Sequence, residues 1–200
     1  MGRPSKRQEI VEAAAQPVAE RALSGVSMGD VASAAGVMPA SVYRQFPDKD
    51  ALFEGIIRHV MDEARSARRD FLTGPATPQE KIKATVYYAL HDSPKLHIHR
   101  RILLRAMIDR DWPRLEALHG LAGEQIVLIV ANITALRTGR DAYYVFYRML
   151  SLILGSISVD PLMEYIRPLT PAERQPLAMT DEILGMLLPE FDWPAVALIE

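Results

Sequence analysis

SMGDVASAAGVMPASVYRQFPDKDAL, residues 27–52, contains two short helical patterns hinged on a glycine. Ser27 and Asp30 have the spacing of a capping box, with Asp in place of the usual Glu or Gln, so a helix of about two turns is expected over Met28–Ala34. Gly36 can take the left-handed conformation that ends a helix and turns the chain sharply. A second short helix is expected over Pro39–Gln45. Val31, Ala32 and Ala35 on one side and Val37, Val42 and Phe46 on the other supply an apolar seam between them. Short helix, glycine turn, short helix is the helix-turn-helix plan, whose second helix enters the major groove of DNA. Many helical corners share that spacing, so alone it is a moderate signal.

Outward from this stretch the chain reads as helices punctuated by caps, with hardly a strand pattern. Asp48 is expected to cap a longer helix from Lys49 to about Phe71. Thr73-Gly-Pro75 is the one plausible domain joint. Thr77-Pro-Gln-Glu80 combines a capping box with proline at the first helical position, and Thr170-Pro-Ala-Glu173 repeats the device. Ser93-Pro94, Asp111-Trp-Pro113 and Asp160-Pro161 mark further breaks. Helices are therefore expected near 78–91, 95–109, 113–137, 140–158 and 180–188, with a short one near 171–175. Pro17 falls inside the expected first helix, where the lost backbone hydrogen bond costs roughly 3 kcal/mol unless the helix kinks or breaks. The reading is an all-α chain in two parts.

Two hundred residues, 49% hydrophobic and 24% charged, can bury a sizeable core. The lack of cysteine excludes a disulfide framework, a thiolate metal site and a cysteine nucleophile, and it fits a reducing cytoplasm. MGRPSKRQEIVEAAAQ has no signal-peptide core before its charges begin. Ala142 to Val159 approaches the length of a membrane span, but Arg148 near its middle makes a helix covered by protein the better reading, and no membrane partner is expected. The formal net charge is −2, with ten Lys/Arg and ten Asp/Glu in residues 1–74 and thirteen and fifteen in residues 75–200. Phosphate contacts are made by one face, however, and Val37–Phe46 carries Arg44 and no acid. The charge permits DNA binding without demanding it.

The run Ile10, Ala13, Ala14, Gly25, Ser27, Val31-Ala32, Ala34-Ala-Gly-Val37, Tyr43, Phe46, Lys49 and Leu52 resembles the DNA-binding domain of the tetracycline-repressor (TetR) family. Tyr43-Arg-Gln-Phe-Pro-Asp-Lys-Asp-Ala-Leu52 is similar to that family's most specific stretch. The resemblance implies an N-terminal three-helix helix-turn-helix DNA-binding domain over 1–48, a connecting helix and joint over 49–74, and a larger helical ligand-binding and dimerisation domain over 75–200. It further implies a cytoplasmic homodimer that grips double-stranded operator DNA and releases it on binding a small-molecule effector. Met38, Pro39, Ala40 and Ser41 would open the recognition helix at the base edges, the apolar ones suited to a thymine methyl. Arg44 would contact guanine or a phosphate, Tyr43 would donate its hydroxyl to the DNA backbone, and Lys49 would add a phosphate contact. Ser27 and Met28 would touch the opposite phosphate wall, with Arg3, Lys6 and Arg7 forming a flexible arm. Met38 stands where that family usually has a capping Ser or Thr, a loss that Pro39 softens because it has no N–H to orphan.

In the C-terminal part, the helix near 140–158 is apolar nearly all round and must be covered on opposite sides. Ser151, Gly155 and Ser158 share one face and are expected to form the dimer seam with the helix carrying Ile183 and Leu187. Tyr143, Phe146 and Tyr147 on the other face, with Tyr87, Tyr88, His91, Met107 and Trp112, are candidate effector-pocket residues. For any one of them taken singly, packed core is the favoured reading. His97 and His99 lie two apart on different sides of a helix and do not share a metal there, so no metal and no cofactor is expected. No phosphate loop, nucleophile elbow or zinc-protease motif occurs, so no enzyme is expected. The competing reading is a helical small-molecule carrier or interaction protein whose N-terminal corner is only structural.

Overall fold

Ser5 starts the first helix: its hydroxyl accepts from the Gln8 backbone N–H at 3.2 Å and its carbonyl from Glu9 N–H at 3.0 Å. Our computed structural model describes residues 5–21, 24–91, 94–167 and 170–195. The helices among them are α1 (Lys6–Arg21), α2 (Met28–Ala34), α3 (Pro39–Gln45), α4 (Lys49–Thr73), α5 (Pro78–Leu90), α6 (Pro94–Ile108), α7 (Trp112–Ala135), α8 (Ala142–Ile166) and α9 (Pro176–Leu187). No strand occurs among the described residues.

The chain forms two compact units. One runs to Ser66 and takes in α6 and α7 as far as Ala122; the other runs from Ala67 through α5 and resumes at Gly123. In the first, Ile10, Ala14 and Val18 of α1 meet Val31, Val42 and Phe46 of the α2–α3 segment and Leu52, Ile56 and Ile57 of α4. Gly55 is what lets α4 lie this close: a Cβ there would stand 2.9 Å from Phe46 Cε1 and 3.3 Å from Val11 Cγ2. In the second unit, Leu72, Ile82, Val86, Ile129, Ile133, Val145, Met149, Ile183 and Leu184 form the core. Lys83, buried on α5, reaches Asp181 of α9 at 2.6 Å, so its charge is compensated.

The capping signals act where expected. Thr77 and Glu80 exchange backbone and side-chain hydrogen bonds ahead of α5, and the Asp48 carboxylate accepts from Ala51 N–H at 2.7 Å at the start of α4. Four expectations shift. Helix α1 runs through Pro17 to Arg21 and does not break, its apolar side held by Ala14, Ala15, Val18 and Ala19 in the core. Helix α8 runs through Asp160 and Pro161 to Ile166, because a single proline removes one backbone hydrogen bond from a helix of 25 residues. The Thr170–Glu173 box forms (Thr170 N–H to Glu173 at 2.8 Å) but closes only a turn. Pro176 drives the residue before it out of helical geometry, and Gln175, at ψ 126°, becomes the cap of α9, which starts four residues before its expected position.

Candidate nucleic-acid interface

The α2–α3 corner is built from its own backbone. Ser27 Oγ accepts from Asp30 N–H at 3.0 Å, and Ser27 N–H donates to the Asp30 carboxylate at 2.8 Å. These bonds to Ser27 hold the Asp30 carboxyl below its ordinary value, and Arg21 and Lys49 add to the effect. At the far end Gly36 adopts φ +63°; Val37 N–H reaches Ala32 C=O at 2.9 Å and Gly36 N–H reaches Ser33 C=O at 3.2 Å. This paired closure satisfies the last carbonyls of α2 and redirects the chain into α3.

Helix α3 buries Val42 completely and is followed by the equally buried Phe46, an i, i+4 anchor. The remaining positions are thereby turned outward: Met38 (73% exposed), Pro39, Ala40, Tyr43 (55%) and Arg44 are exposed, and Ser41 is half-buried. Met38 provides no side-chain cap, Pro39 takes the first turn, and Ser41 N–H bonds Met38 C=O at 2.8 Å. Lys49, half-buried, opens α4. One short helix therefore presents small apolar groups, a phenol and a guanidinium together, with Ser27 exposed at the start of α2.

Three expected contacts are placed differently. Met28 is 5% exposed and packs in the core, so its side chain has no surface to offer a phosphate. Lys6 and Arg7 are no flexible arm, because Ser5 starts α1 ahead of them; Lys6 pairs with Glu9 at 3.2 Å. Arg7 Nη1 donates to Gln45 C=O, the last residue of α3, at 2.6 Å, and its guanidinium lies 4.1 Å from the Phe46 ring centre. The side chain thus holds the C-terminal end of α3, where a cation is favoured. Arg7 and Gln45 are 38 positions apart, so no local sequence signal reveals the contact. Arg3 lies outside the described residues.

The expected effector residues are divided between the two units. Met107 and Trp112 belong to the first unit and are exposed, while the others belong to the second. Tyr87 and Tyr88 meet edge to face at 5.4 Å, with His91 at 5.9 Å from Tyr87. On α8 the core side is Val145, Met149 and Ile153, with Phe146 packed against it. Tyr143 and Tyr147 are therefore on the outer row, in i, i+4 succession with Ser151 and Gly155, and do not line a pocket opposite them. On α9, Ile183 is buried and Leu187 packs on the same core, so the outward side is carried by Leu177, Gly185 and Met186. A cavity of about 30 Å³ between Val18, Phe53, Ile102, Ala106, Asp109 and Arg114 has room for about one water, far below an effector. Among the described residues no His, Asp and Glu cluster is arranged to hold a metal ion.

Comparison with known proteins bears on the same segment. Residues 10–56 match the family "Bacterial regulatory proteins, tetR family". The HTH-type transcriptional repressor KstR2 of Mycobacterium tuberculosis (strain CDC 1551 / Oshkosh) is 32% identical over 79 residues, a stretch covering 40% of this chain and 40% of that relative. The match thus spans less than half the relative's length. The solved structure of the transcriptional regulator FadR from Bacillus subtilis, in complex with stearoyl-CoA, superposes with a TM-score of 0.70 at 14% identity, covering 92% of this chain and 98% of that one. AibR in complex with isovaleryl coenzyme A and operator DNA gives 0.67 at 18% identity, covering 94% and 100%. At these identities the likeness establishes the fold: a helix-turn-helix domain followed by a larger helical one.

Proposed function

We propose that the chain, whose residues 10–56 match the tetR family of bacterial regulatory proteins, is a homodimeric, cytoplasmic repressor of that family that leaves operator DNA when a small molecule binds its larger domain. The observation that carries this reading is α3: Val42 and Phe46 anchor it while Met38, Pro39, Ala40, Tyr43 and Arg44 face outward. A corner with only a structural role has no need to expose an aromatic beside small apolar groups, so the same face weighs against the carrier alternative. We assign 1–48 to DNA binding, 49–74 to the connection and 75–200 to effector binding and dimerisation, without catalytic activity. Direct readout falls to Pro39, Ala40, Ser41 and Arg44, and backbone contacts to Ser27, Tyr43 and Lys49.

The outer row of α8 supports dimerisation. Tyr143, Tyr147, Gly155, Ser158, Leu162 and Ile166 are exposed on a helix whose other side is in the core. A Cβ added at Gly155 would meet nothing beyond its own stretch of helix within 4 Å, which leaves room for another helix. Exposed Arg148 within this segment favours a second protein copy over lipid as the cover. A two-fold pair of α3 helices reads two half-sites, and an effector that favours another spacing of the pair releases the DNA. The test is operator binding by Tyr43→Ala and Lys49→Ala. Each is expected to weaken binding about tenfold or more with its melting temperature unchanged; unchanged affinity in both sinks the assignment.

A further inference from the structure

Arg68 and Gln125 are singled out by no motif, and the DNA reading does not use them. Arg68 lies on α4 one turn before Leu72, and Gln125 lies on α7 one turn before Ile129; both Leu72 and Ile129 are in the core of the second unit. Arg68 is half-buried and Gln125 is buried, and the guanidinium Nη1 donates to Gln125 Oε1 at 3.0 Å. Among the described residues Arg68 forms no ion pair, whereas its neighbour Arg69 pairs with Glu124 at 3.2 Å. Burial lowers the pKa of Arg68, and no carboxylate raises it again. A guanidinium has five donors and stays charged. Here one donor is held by a neutral amide, and neither Nε nor Nη2 is among the sealed, unsatisfied atoms.

A fixed cation withdrawn from water without an anionic partner is unfavourable. It persists where a ligand supplies the missing charge, and a guanidinium fork matches a carboxylate or phosphate with two parallel hydrogen bonds. We propose that Arg68, oriented by Gln125, binds the anionic group of the effector, a carboxylate or a phosphate, beside the apolar core at Leu72 and Ile129. This rests on the assignment of residues 75–200, which include Gln125, to effector binding; Arg68 would be the contribution of the connecting helix to that site. Gln125 is the positioning residue: it holds one edge of the guanidinium and leaves the other open.

The test is the melting temperature of the full chain titrated with inorganic phosphate or with acetate, ionic strength held constant with chloride. The wild type is expected to show a saturable rise with at least one of them; phosphate alone points to a phosphorylated effector, acetate alone to a carboxylic acid. In Arg68→Gln the half-saturation moves up about tenfold or more, leaving only the unsaturable stabilisation that phosphate gives any protein. Gln125→Glu places a carboxylate on the guanidinium, so it is expected to melt above the wild type without added anion and to lose the response. No saturable rise with either anion, or the same rise in Arg68→Gln and Gln125→Glu as in the wild type, overturns the proposal. No DNA enters this measurement, so its failure leaves the DNA-reading assignment standing, and the reverse holds too.

Discussion

Arg7 shows how a single side chain divides structure from recognition. Its place near the N-terminus among other basic residues reads as an arm for DNA, but the structure commits it to the Gln45 carbonyl and the Phe46 ring. Arg7→Met is therefore expected to lower stability by about 1 kcal/mol, the worth of one exposed cation–π contact and one hydrogen bond. It should leave the salt dependence of DNA binding unchanged. Lys49→Ala, in contrast, is expected to reduce the slope of log affinity against log salt by about 1. Thermal melting and a salt titration on both variants check the pair; a reduced slope for Arg7→Met returns that residue to the phosphate contacts. The outward set on α3 was legible because Val42 and Phe46 declare the buried side by spacing. Arg7 was not, since its partners are distant in sequence, nor was the burial of Met28, which a capped first-turn position does not disclose.

Among the elements, those with side-chain caps were legible to within a residue at their starts: α2, α4 and α5 begin where Ser27, Asp48 and Thr77 place them. The Asp30 half of the α2 box carries a pH prediction. Its folded carboxyl lies below the ordinary 3.8, so its stabilisation is fully present above that value and is lost as pH falls through the lowered one. Asp30→Ala should melt below the wild type at neutral pH, and the gap should close in acid; a gap that persists there contradicts the cap. Element ends set by proline were less legible, because the same residue that starts α9 at Pro176 is absorbed within α1 and α8. Nor did periodicity give the two sides of α8, since a helix apolar all round has little pattern to read. Its outer row makes the next prediction. Gly155 is exposed and a Cβ there meets nothing beyond its own stretch of helix, so the Gly155→Arg protomer should fold as before, while sedimentation should show monomer and operator affinity should fall by about 100-fold. A variant that remains dimeric places the interface elsewhere.

On the proposed reading of the whole molecule, each chain contributes one DNA-reading head, pairs with a second copy and responds to an anion through its larger domain. The segment that matches the tetR family is explicit in the sequence, with its motif between Ser27 and Leu52, whereas the larger domain carries its information in which faces stay uncovered. The proposed anion contact was not legible in the sequence, because no motif marks Arg68 or Gln125. The charge at Arg68 becomes notable only once its burial is known. The most direct test of the central claim is selection of bound sequences from a random duplex pool by the purified full chain, at about 150 mM salt where non-specific binding is weak. The account predicts enrichment of one palindromic sequence whose half-sites lie about one helical turn, or a multiple of it, apart; a folded protein that leaves the pool random contradicts it.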